Sequence, residues 1–354
     1  MSDTLPDKFA DHLKTLCPDW RRVRFMVAFS GGLDSTALLH LMALCRPAAQ
    51  LAAAHLNHEL RGEAAAADQK FAEKTAAGLS VEFIAASRDV GALARERRRG
   101  VEEAARRARY DFLAGAAAAW GADYVLTAHQ ADDQAETMLM NFLKGSGAGG
   151  LAGIHPRRPL RRPGTAGPGE RPVELVRPLL PFSRGELQAW LEARGLPWVE
   201  DLSNRDGHYL RNALRGDLIP RLKRLNPRFT EALGRSALVL RAEEDFWAAH
   251  LAGLWADLVT EEAPARFSVD RRGLSGLTVA EQRRLIYEVL NKIWLTRPRT
   301  GEPLSFASVE TLRSMLAQAR HPGLDLPGGL RAALTAEVVR FSLASRLVDS
   351  SPAD

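Results

Sequence analysis

The chain has 354 residues, of which 46% are hydrophobic and 26% are charged, so it is long enough for two globular domains and too apolar to be disordered throughout. Its formal net charge is +5. Arginine is concentrated at residues 157–162 and 205–228, a pattern that fits either a polyanionic partner or a solvated surface. No apolar run approaches a membrane span of about 18 residues, and the N-terminus resembles no targeting signal, so we expect a cytosolic protein with no membrane association.

Strand and helix signals alternate in the first part of the chain. The predicted elements are strands at residues 23–29, 51–56, 81–85 and 124–128, and helices at residues 35–45, 63–77, 101–120 and 131–143. Strands separated by helices form a parallel sheet that is covered on both faces. Ligands of such α/β sheets bind beyond the carboxyl ends of the strands, where the polar motifs of this chain fall.

The second part of the chain begins with a Gly-rich stretch at residues 145–153 and a Pro- and Arg-rich stretch at residues 155–172, which we interpret as a mobile surface insertion. Further predictions are helices at residues 183–194, 214–225, 230–258, 280–294 and 305–319, and a hairpin at 323–343 turning near Gly328 and Gly329. We therefore predict an α/β nucleotide-binding domain over residues 1–222. A helical linker and a smaller α+β domain follow over residues 223–354.

The strongest motif, Ser-Gly-Gly-Leu-Asp-Ser at residues 30–35, joins the first strand to the first helix of this pattern. Its glycines let backbone amides approach phosphate at the positive end of a helix. The motif lacks the lysine of a Walker loop and the third glycine of a dinucleotide fingerprint. Since a carboxylate repels phosphate unless a cation intervenes, Asp34 implies Mg²⁺ bound to pyrophosphate oxygens. The alternative is an ordinary capped turn between strand and helix.

A second motif, AHQADDQAET at residues 128–137, follows the fourth predicted strand. The spacing puts His129, Asp133 and Glu136 on one face near the start of a helix. Two carboxylates that face the crevice of Asp34 could hold Mg²⁺ together with phosphate oxygens and water. The alternative is a charged first turn that complements the helix dipole.

Three weaker motifs complete the candidate site. His55 and His58 are three residues apart, but no cysteine or nearby carboxylate completes a zinc tetrahedron, so we favour a polar loop, which includes Asn57, around adenine and phosphates. Arg109 lies in an arginine-rich helix that either points guanidinium groups at phosphate or forms a solvated face. The polar segment at residues 200–215 fits a capped loop or a phosphate contact.

Together these strings resemble the PP-loop ATP pyrophosphatase superfamily and, within it, the tRNA(Ile)-lysidine synthetases. The matching strings are SGGLDS (30–35), HLNHELRG (55–62), RRARYDFL (106–113), AHQADDQAET (128–137), KGSGAGGLAGI (144–154), RPLL (177–180) and DLSNRDGHYLRNALRGDLIP (201–220). SGGLDS marks only the superfamily, whereas the last string is far more particular to the lysidine enzymes. The resemblance covers about residues 20–222 and is faint after residue 230.

The resemblance implies a reaction in which ATP adenylates the C2 oxygen of the wobble cytidine of tRNA(Ile) with a CAU anticodon. L-lysine then attacks C2 through its ε-amine and displaces AMP. A C-terminal domain that grips tRNA and a homodimer are further expectations at family level.

Mapped onto this chain, the expected ATP-binding residues are Ser30, Gly31, Gly32, Leu33, Asp34, Ser35, His55 and Asn57. Asp34, Asp133 and Glu136 would bind Mg²⁺ and act in catalysis, and Arg109 and His129 would face the activated intermediate. Arg205, Arg211 and Arg215 are the candidate tRNA contacts.

Three other functions are open at this stage. A tRNA 2-thiocytidine synthetase uses the same loop but relies on cysteines, and Cys17 and Cys45 lie outside every motif without forming CxxC. A small-molecule ligase of the superfamily fits the loop but leaves the basic segment and the second domain unexplained. A non-catalytic tRNA-binding protein leaves the acidic groups unexplained, because carboxylates that face a polyanion are unfavourable without metal and ATP.

Overall fold

A computed structural model gives the fold and describes residues 4–59, 63–96, 100–160, 173–200, 209–296, 304–316 and 321–343. The chain divides into two compact units, Met1–Arg241 and Ala242–Asp354. The division falls inside a helix, Phe229–Leu258, later in the chain than the boundary at residue 222 that the sequence predicts. In the described part of the chain, every helix is too short or too polar to span a membrane.

The first unit is an α/β domain built on a six-stranded sheet. Its strands are β1 (Phe25–Ala28), β2 (Leu51–Asn57), β3 (Glu82–Ser87), β4 (Tyr124–Leu126), β5 (Arg157–Pro159) and β6 (Glu174–Val176). Its helices are α1 (Leu5–Leu16), α2 (Leu33–Cys45), α3 (Glu63–Gly78), α4 (Val90–Glu96), α5 (Val101–Trp120), α6 (Ala131–Leu143), α7 (Ala148–Leu151), α8 (Arg184–Glu192), α9 (Tyr209–Ala213) and α10 (Ile219–Leu225). A π-helical segment, Leu214–Leu218, joins α9 to α10, and α11 (Phe229–Leu258) begins in this unit.

The sheet has the strand order β3-β2-β1-β4-β6-β5, and every pair is parallel except β5 with β6. Alternate residues of β1 lie in two different cores, as a sheet covered on both faces requires. Phe25 and Val27 pack with α1, α2 and α8, whereas Met26 packs with α5. The predicted parallel sheet is confirmed. A short loop joins the carboxyl end of β1 to α2, and another joins the carboxyl end of β4 to α6.

The first unit differs from the sequence prediction beyond residue 154. Residues 157–159, predicted to belong to a mobile insertion, form the edge strand β5, and the Arg157 guanidinium contacts the Glu174 carboxylate at 2.6 Å. Residues 161–172 lie outside the described residues. Strands β5 and β6 have three residues each, too few for an apolar pattern to reveal them.

The second unit is an α+β domain with its own core. It contains β7 (Val259–Ala263), β8 (Arg266–Asp270), α12 (Arg271–Gly276), α13 (Val279–Leu295), α14 (Phe306–Met315), β9 (His321–Leu326), β10 (Leu330–Leu334) and β11 (Val338–Leu343). The strands form an antiparallel sheet in the order β7-β8-β11-β10-β9. The predicted hairpin at Gly328 and Gly329 is confirmed as the β9–β10 turn, whereas β7 and β8 were not predicted.

Candidate functional site

The loop between β1 and α2 is held by hydrogen bonds within itself. The Ser30 and Ser35 hydroxyl oxygens lie 3.0 Å apart, and Thr36 Oγ1 donates to the Gly31 carbonyl at 3.0 Å. Gly31 has a φ of +86°, a backbone conformation that glycine adopts without strain, and Gly32 caps α2. The loop therefore lies at the positive end of a well-packed helix, an arrangement suited to an anion.

Asp34 lies in the first turn of α2 and has two differently placed oxygens. Its Oδ2 accepts a hydrogen bond from Arg184 Nη1 at 2.9 Å, whereas its Oδ1 is buried and has no hydrogen-bond partner among the described residues. Burial raises the pKa of Asp34, against the opposing effect of Arg184 and Arg215. A buried carboxylate oxygen without a partner costs free energy, and a hard cation such as Mg²⁺ would satisfy it.

The start of α6 presents the acidic motif. Gln130 caps the helix by accepting from the Asp132 amide, and Asp133 Oδ2 accepts from the Gln130 amide at 3.0 Å. Burial raises the pKa of Asp133 to about 6, and the charges of Glu136 and Asp34 act in the same direction. Asp133 and Asp34 are therefore close enough to interact, as the sequence predicts, although one oxygen of Asp133 also serves as a helix cap.

Glu136 is bound by two guanidinium groups and is only 1% exposed. Arg215 Nε donates to Glu136 Oε1 at 2.6 Å, and Arg211 Nε donates to Glu136 Oε2 at 3.0 Å. Both carboxylate oxygens thus accept hydrogen bonds, and metal binding by Glu136 stays a prediction. Nowhere in the described ranges do three or more His, Cys, Asp or Glu residues form a cluster able to hold a metal.

The basic segment after residue 208 thus packs against the acidic helix. Besides its bonds to Glu136, Arg215 lies 3.5 Å from Asp133, and Lys223 contacts Asp132. Arg211 and Arg215, the predicted tRNA contacts, are placed in ion pairs within the first unit, and their contact with tRNA stays a prediction. Arg205 lies outside the described residues.

A cluster of guanidinium groups surrounds Tyr110 and His129. Arg106, Arg109 and Arg158 lie 5.6, 5.7 and 4.9 Å from the centre of the Tyr110 ring. Burial raises the pKa of Tyr110, but the charges of Arg109, Arg177 and Arg106 and a hydrogen bond from Arg158 outweigh it, so the net pKa is lowered. Such a cluster favours a bound anion, and the predicted role of Arg109 in facing the activated intermediate stays a prediction.

His129 is kept neutral beside these arginines. Its Nδ1 lies 3.0 Å from Thr127 Oγ1, and burial together with the charges of Arg177, Arg109, Arg106 and Arg211 lowers its pKa to about 3. Near pH 7 this imidazole is therefore neutral and can form a hydrogen bond without taking up a proton. His129 is thus brought close to Arg109, as predicted for residues that face one intermediate.

The histidine motif at the carboxyl end of β2 has a more structural setting. His55 is 5% exposed, its Nδ1 lies 2.9 Å from the Phe29 carbonyl, and burial lowers its pKa. Asn57 accepts from the Glu59 amide at 2.9 Å and donates to Gln69. Both side chains shape the strand end next to the glycine loop, and their contact with ATP stays a prediction.

The sequence did not predict the roles of several residues at the site. Arg184, Asp132 and Lys223 form ion pairs there, and Tyr110, Arg158 and Arg177 build the guanidinium cluster. The RPLL string, which begins at Arg177, was the one available signal for that residue. The partners of Arg184 and Lys223 are too far away in sequence for spacing to reveal them.

Comparisons with known proteins agree with this geometry. A family profile described as the PP-loop domain matches residues 5–222. The chain is 39% identical over 336 residues to the tRNA(Ile)-lysidine synthase of Geobacter sulfurreducens and 38% identical over 319 residues to that of Ralstonia nicotianae. These matches cover 92% and 85% of this chain but 66% and 61% of the two relatives, so the chain spans less than two thirds of their length.

Among solved structures, the U34-tRNA thiolase NcsA from Methanococcus maripaludis has a similar fold. The TM-score is 0.53 at 16% sequence identity, and the match covers 66% of this chain and 79% of that chain. At this identity the likeness concerns the fold alone. The parallel sheet, the glycine loop after β1 and the family match over most of the first unit lead to one conclusion: this chain belongs to the PP-loop domain family.

Proposed function

We propose that the protein forms lysidine in tRNA(Ile) with a CAU anticodon. ATP adenylates the C2 oxygen of the wobble cytidine and releases pyrophosphate; the ε-amine of L-lysine then forms the C2–N bond as the C–O bond to AMP breaks. The oxygen of C2 thus leaves with AMP, and a proton is lost from the amine. Adenylation makes this poor leaving group a good one. A cytosolic location and a homodimer belong to the same proposal.

The observation that carries the proposal is the meeting of three features at one edge of the parallel sheet. These are the glycine loop at Ser30–Ser35, the acidic start of α6, and the guanidinium cluster around Tyr110 and His129. The first suits a polyphosphate, the second a divalent cation and the third an anionic or electron-rich substrate group. The named relatives are tRNA(Ile)-lysidine synthases, which supports the choice of substrate.

The residues present fit a Mg²⁺ ion, because Asp34 offers a buried carboxylate oxygen that has no hydrogen-bond partner in the part of the chain that the structure describes. Asp34 and Asp133 would hold it, and the ion would neutralise charge on the phosphate oxygens. The loop amides and the Ser30 and Ser35 hydroxyls bind and orient the polyphosphate. Arg109 stabilises negative charge as AMP leaves, and His129, which is neutral near pH 7, can form a hydrogen bond to the activated intermediate.

The test is incorporation of labelled lysine into an unmodified CAU-anticodon tRNA(Ile) transcript with ATP and Mg²⁺, compared with the methionine tRNA that shares the anticodon. Incorporation into the isoleucine tRNA alone is the expected result. Cleavage of ATP to AMP and pyrophosphate without incorporation would mean another nucleophile. Neither reaction would favour a tRNA-binding protein without catalytic activity.

Asp34→Asn should reduce both AMP formation and lysine incorporation by about 100-fold or more, since metal ions contribute several kcal/mol of charge stabilisation. The far-ultraviolet circular dichroism of the variant should match that of the unchanged protein. Undiminished turnover in this variant would exclude a metal-binding role for Asp34.

A thiolation reaction is less well supported. Cys17 is buried in the main core, where desolvation raises the pKa of its thiol to about 12, so it is a poor nucleophile. The geometry of the site gives sulfur transfer no further support.

A further inference from the structure

Arg184 links two acidic residues that belong to different elements of the site. As the first residue of α8, it donates its backbone amide to Asp132 Oδ2 at 3.1 Å and its Nη1 to Asp34 Oδ2 at 2.9 Å. Ser183 and Glu186 form a capping box that fixes the start of α8. The backbone of Arg184 is therefore held in place, while its side chain reaches the loop carboxylate.

The Arg184 side chain is the accessible partner of this ion pair. It is 52% exposed, whereas the Asp34 side chain is 23% exposed. Arg215, by contrast, donates two hydrogen bonds to a carboxylate that is 1% exposed. Arg184 can therefore leave Asp34 by rotating its side chain into solvent. Departure of Arg215 would instead remove a charged partner from the buried carboxylate of Glu136, which is costly in free energy.

The contacts of Asp34 create a conflict between two cations. One oxygen accepts a hydrogen bond from Arg184, and the other is buried with no hydrogen-bond partner among the described residues, so a divalent ion could satisfy it. A guanidinium and a divalent cation on one carboxylate repel each other across a few ångströms of partly desolvated space. A polyphosphate relieves the conflict, because its oxygens attract the guanidinium away from Asp34. Arginine is well suited to both partners, since its fork binds carboxylate and phosphate alike.

We propose that Arg184 is an exchangeable counter-ion, which neutralises Asp34 when the site is empty and moves to the polyphosphate when Asp34 binds a divalent cation. This inference rests on the proposed function only in requiring that the site bind ATP with a divalent ion. It makes Arg184 a specificity-determining residue that favours the metal–nucleotide complex over the free metal. Without nucleotide, Arg184 competes with the cation for Asp34.

The test measures two equilibria in the full-length protein without tRNA or lysine. Mn²⁺ alone is titrated by electron paramagnetic resonance, and α,β-methylene-ATP with Mg²⁺ is titrated by calorimetry. Arg184→Gln should bind Mn²⁺ several-fold more tightly, because its competitor is gone. The same variant should bind the nucleotide about tenfold more weakly, because it lacks one charge-assisted hydrogen bond. Arg184→Lys, which keeps the charge, should lie between the two proteins in both titrations.

Arg194→Gln is the matched control, because the Arg194 guanidinium lies 4.6 Å from the Trp190 ring centre and forms no ion pair that the structure describes. It should change neither affinity. A purely structural role for Arg184 would weaken both ligands together, and that outcome, like an unchanged pair of affinities, would refute the exchange. Opposite shifts in a protein that makes no lysidine would uphold the exchange and refute only the proposed function.

Discussion

Glu136 shows how a single buried carboxylate organises the basic segment that follows residue 208. It accepts hydrogen bonds from Arg211 and Arg215, which come from α9 and the π-helical segment. The two arginines are 36% and 49% exposed, so water reduces the energetic contribution of each pair. The carboxylate itself has no access to water and depends on them. Its main role is therefore to fasten this segment to α6.

Glu136→Gln should lower the free energy of unfolding of the first unit by about 1–3 kcal/mol, because it leaves guanidinium donors without their buried acceptor. Urea unfolding followed by circular dichroism measures the change. Asp217→Asn is the control, since Asp217 and Arg221 form an exposed pair, with side chains 62% and 63% exposed. The control substitution should lower the free energy of unfolding by less than about 0.5 kcal/mol. Equal losses in the two variants would contradict the fastening role of Glu136.

His129 gives the first unit a defined response to acid. Burial and four neighbouring arginines lower its pKa from 6.5 to about 3. Between these values the unfolded chain binds a proton that the folded protein does not. The contribution of neutral His129 to the free energy of unfolding is therefore complete above pH 6.5. It is lost as the pH falls toward 3, by at most about 1.4 kcal/mol per pH unit.

His129→Gln should flatten the dependence of unfolding free energy on pH between 4 and 6.5, measured by urea unfolding at each pH. Other groups that titrate in this pH range are present in both the unsubstituted protein and the variant. The lowered pKa values of His55 and His58 shift the slope in the same direction as His129, and the raised pKa of Asp133 shifts it in the opposite direction. The difference between the two slopes isolates His129. Parallel profiles would show that it titrates at its ordinary pKa.

Residue chemistry was largely predictable from the sequence, whereas ion pairing was not. Asp34, Asp133 and His129 could be singled out because each belongs to a local motif with an interpretable spacing. The partners of Glu136 and Asp34 come from segments far along the chain, such as Arg215 and Arg184, and only the fold brings them together. A spacing argument could therefore propose metal binding for Glu136, but it could not predict the ion pairs that Glu136 forms with Arg211 and Arg215.

At the scale of elements, two glycines of the second unit differ in whether their positions tolerate a side chain. Gly328, in the β9–β10 turn, has a φ of +79°, and a Cβ there would overlap the Trp294 ring. Gly253 lies inside α11, where a Cβ would meet nothing within 4 Å. The first glycine is required by geometry, whereas the second only adds conformational freedom to the unfolded chain.

Gly328→Ala should therefore lower the unfolding free energy of the second unit by about 2 kcal/mol or more, from backbone strain and overpacking against Trp294. Gly253→Ala should raise it by about 0.5–1 kcal/mol, because alanine is the better helix former. Thermal unfolding of both variants measures the two effects. Shifts of the same sign would mean that the turn tolerates a side chain.

Long buried elements were easier to predict than short edge strands. β2 and α5 have enough residues for their apolar patterns to identify them, and both occur close to the predicted positions. β7 is a strand with three exposed polar residues in its middle, so its sequence carries no alternating signal. Pairing with β8 rather than local sequence makes it a strand.

At the scale of the whole molecule, each unit has a main hydrophobic core built from described residues. One is centred on β1, α1 and α2 in the first unit, and the other on α13 and the antiparallel sheet in the second. The glycine loop, the acidic helix and the guanidinium cluster all lie in Met1–Arg241. Each unit thus has the core that cooperative unfolding requires, and the proposed nucleotide site lies in the first.

Denaturant unfolding of the full chain should accordingly show two transitions. α,β-methylene-ATP with Mg²⁺ should move the midpoint of only one of them to a higher denaturant concentration. At a nucleotide concentration 100 times its Kd, the expected gain is about 2.7 kcal/mol, since the ligand binds the folded unit alone. Glu136→Gln should lower the nucleotide-sensitive transition and Gly328→Ala the other. A single transition that moves with both substitutions would instead mean that the chain unfolds as one cooperative body, with α11 coupling the two cores.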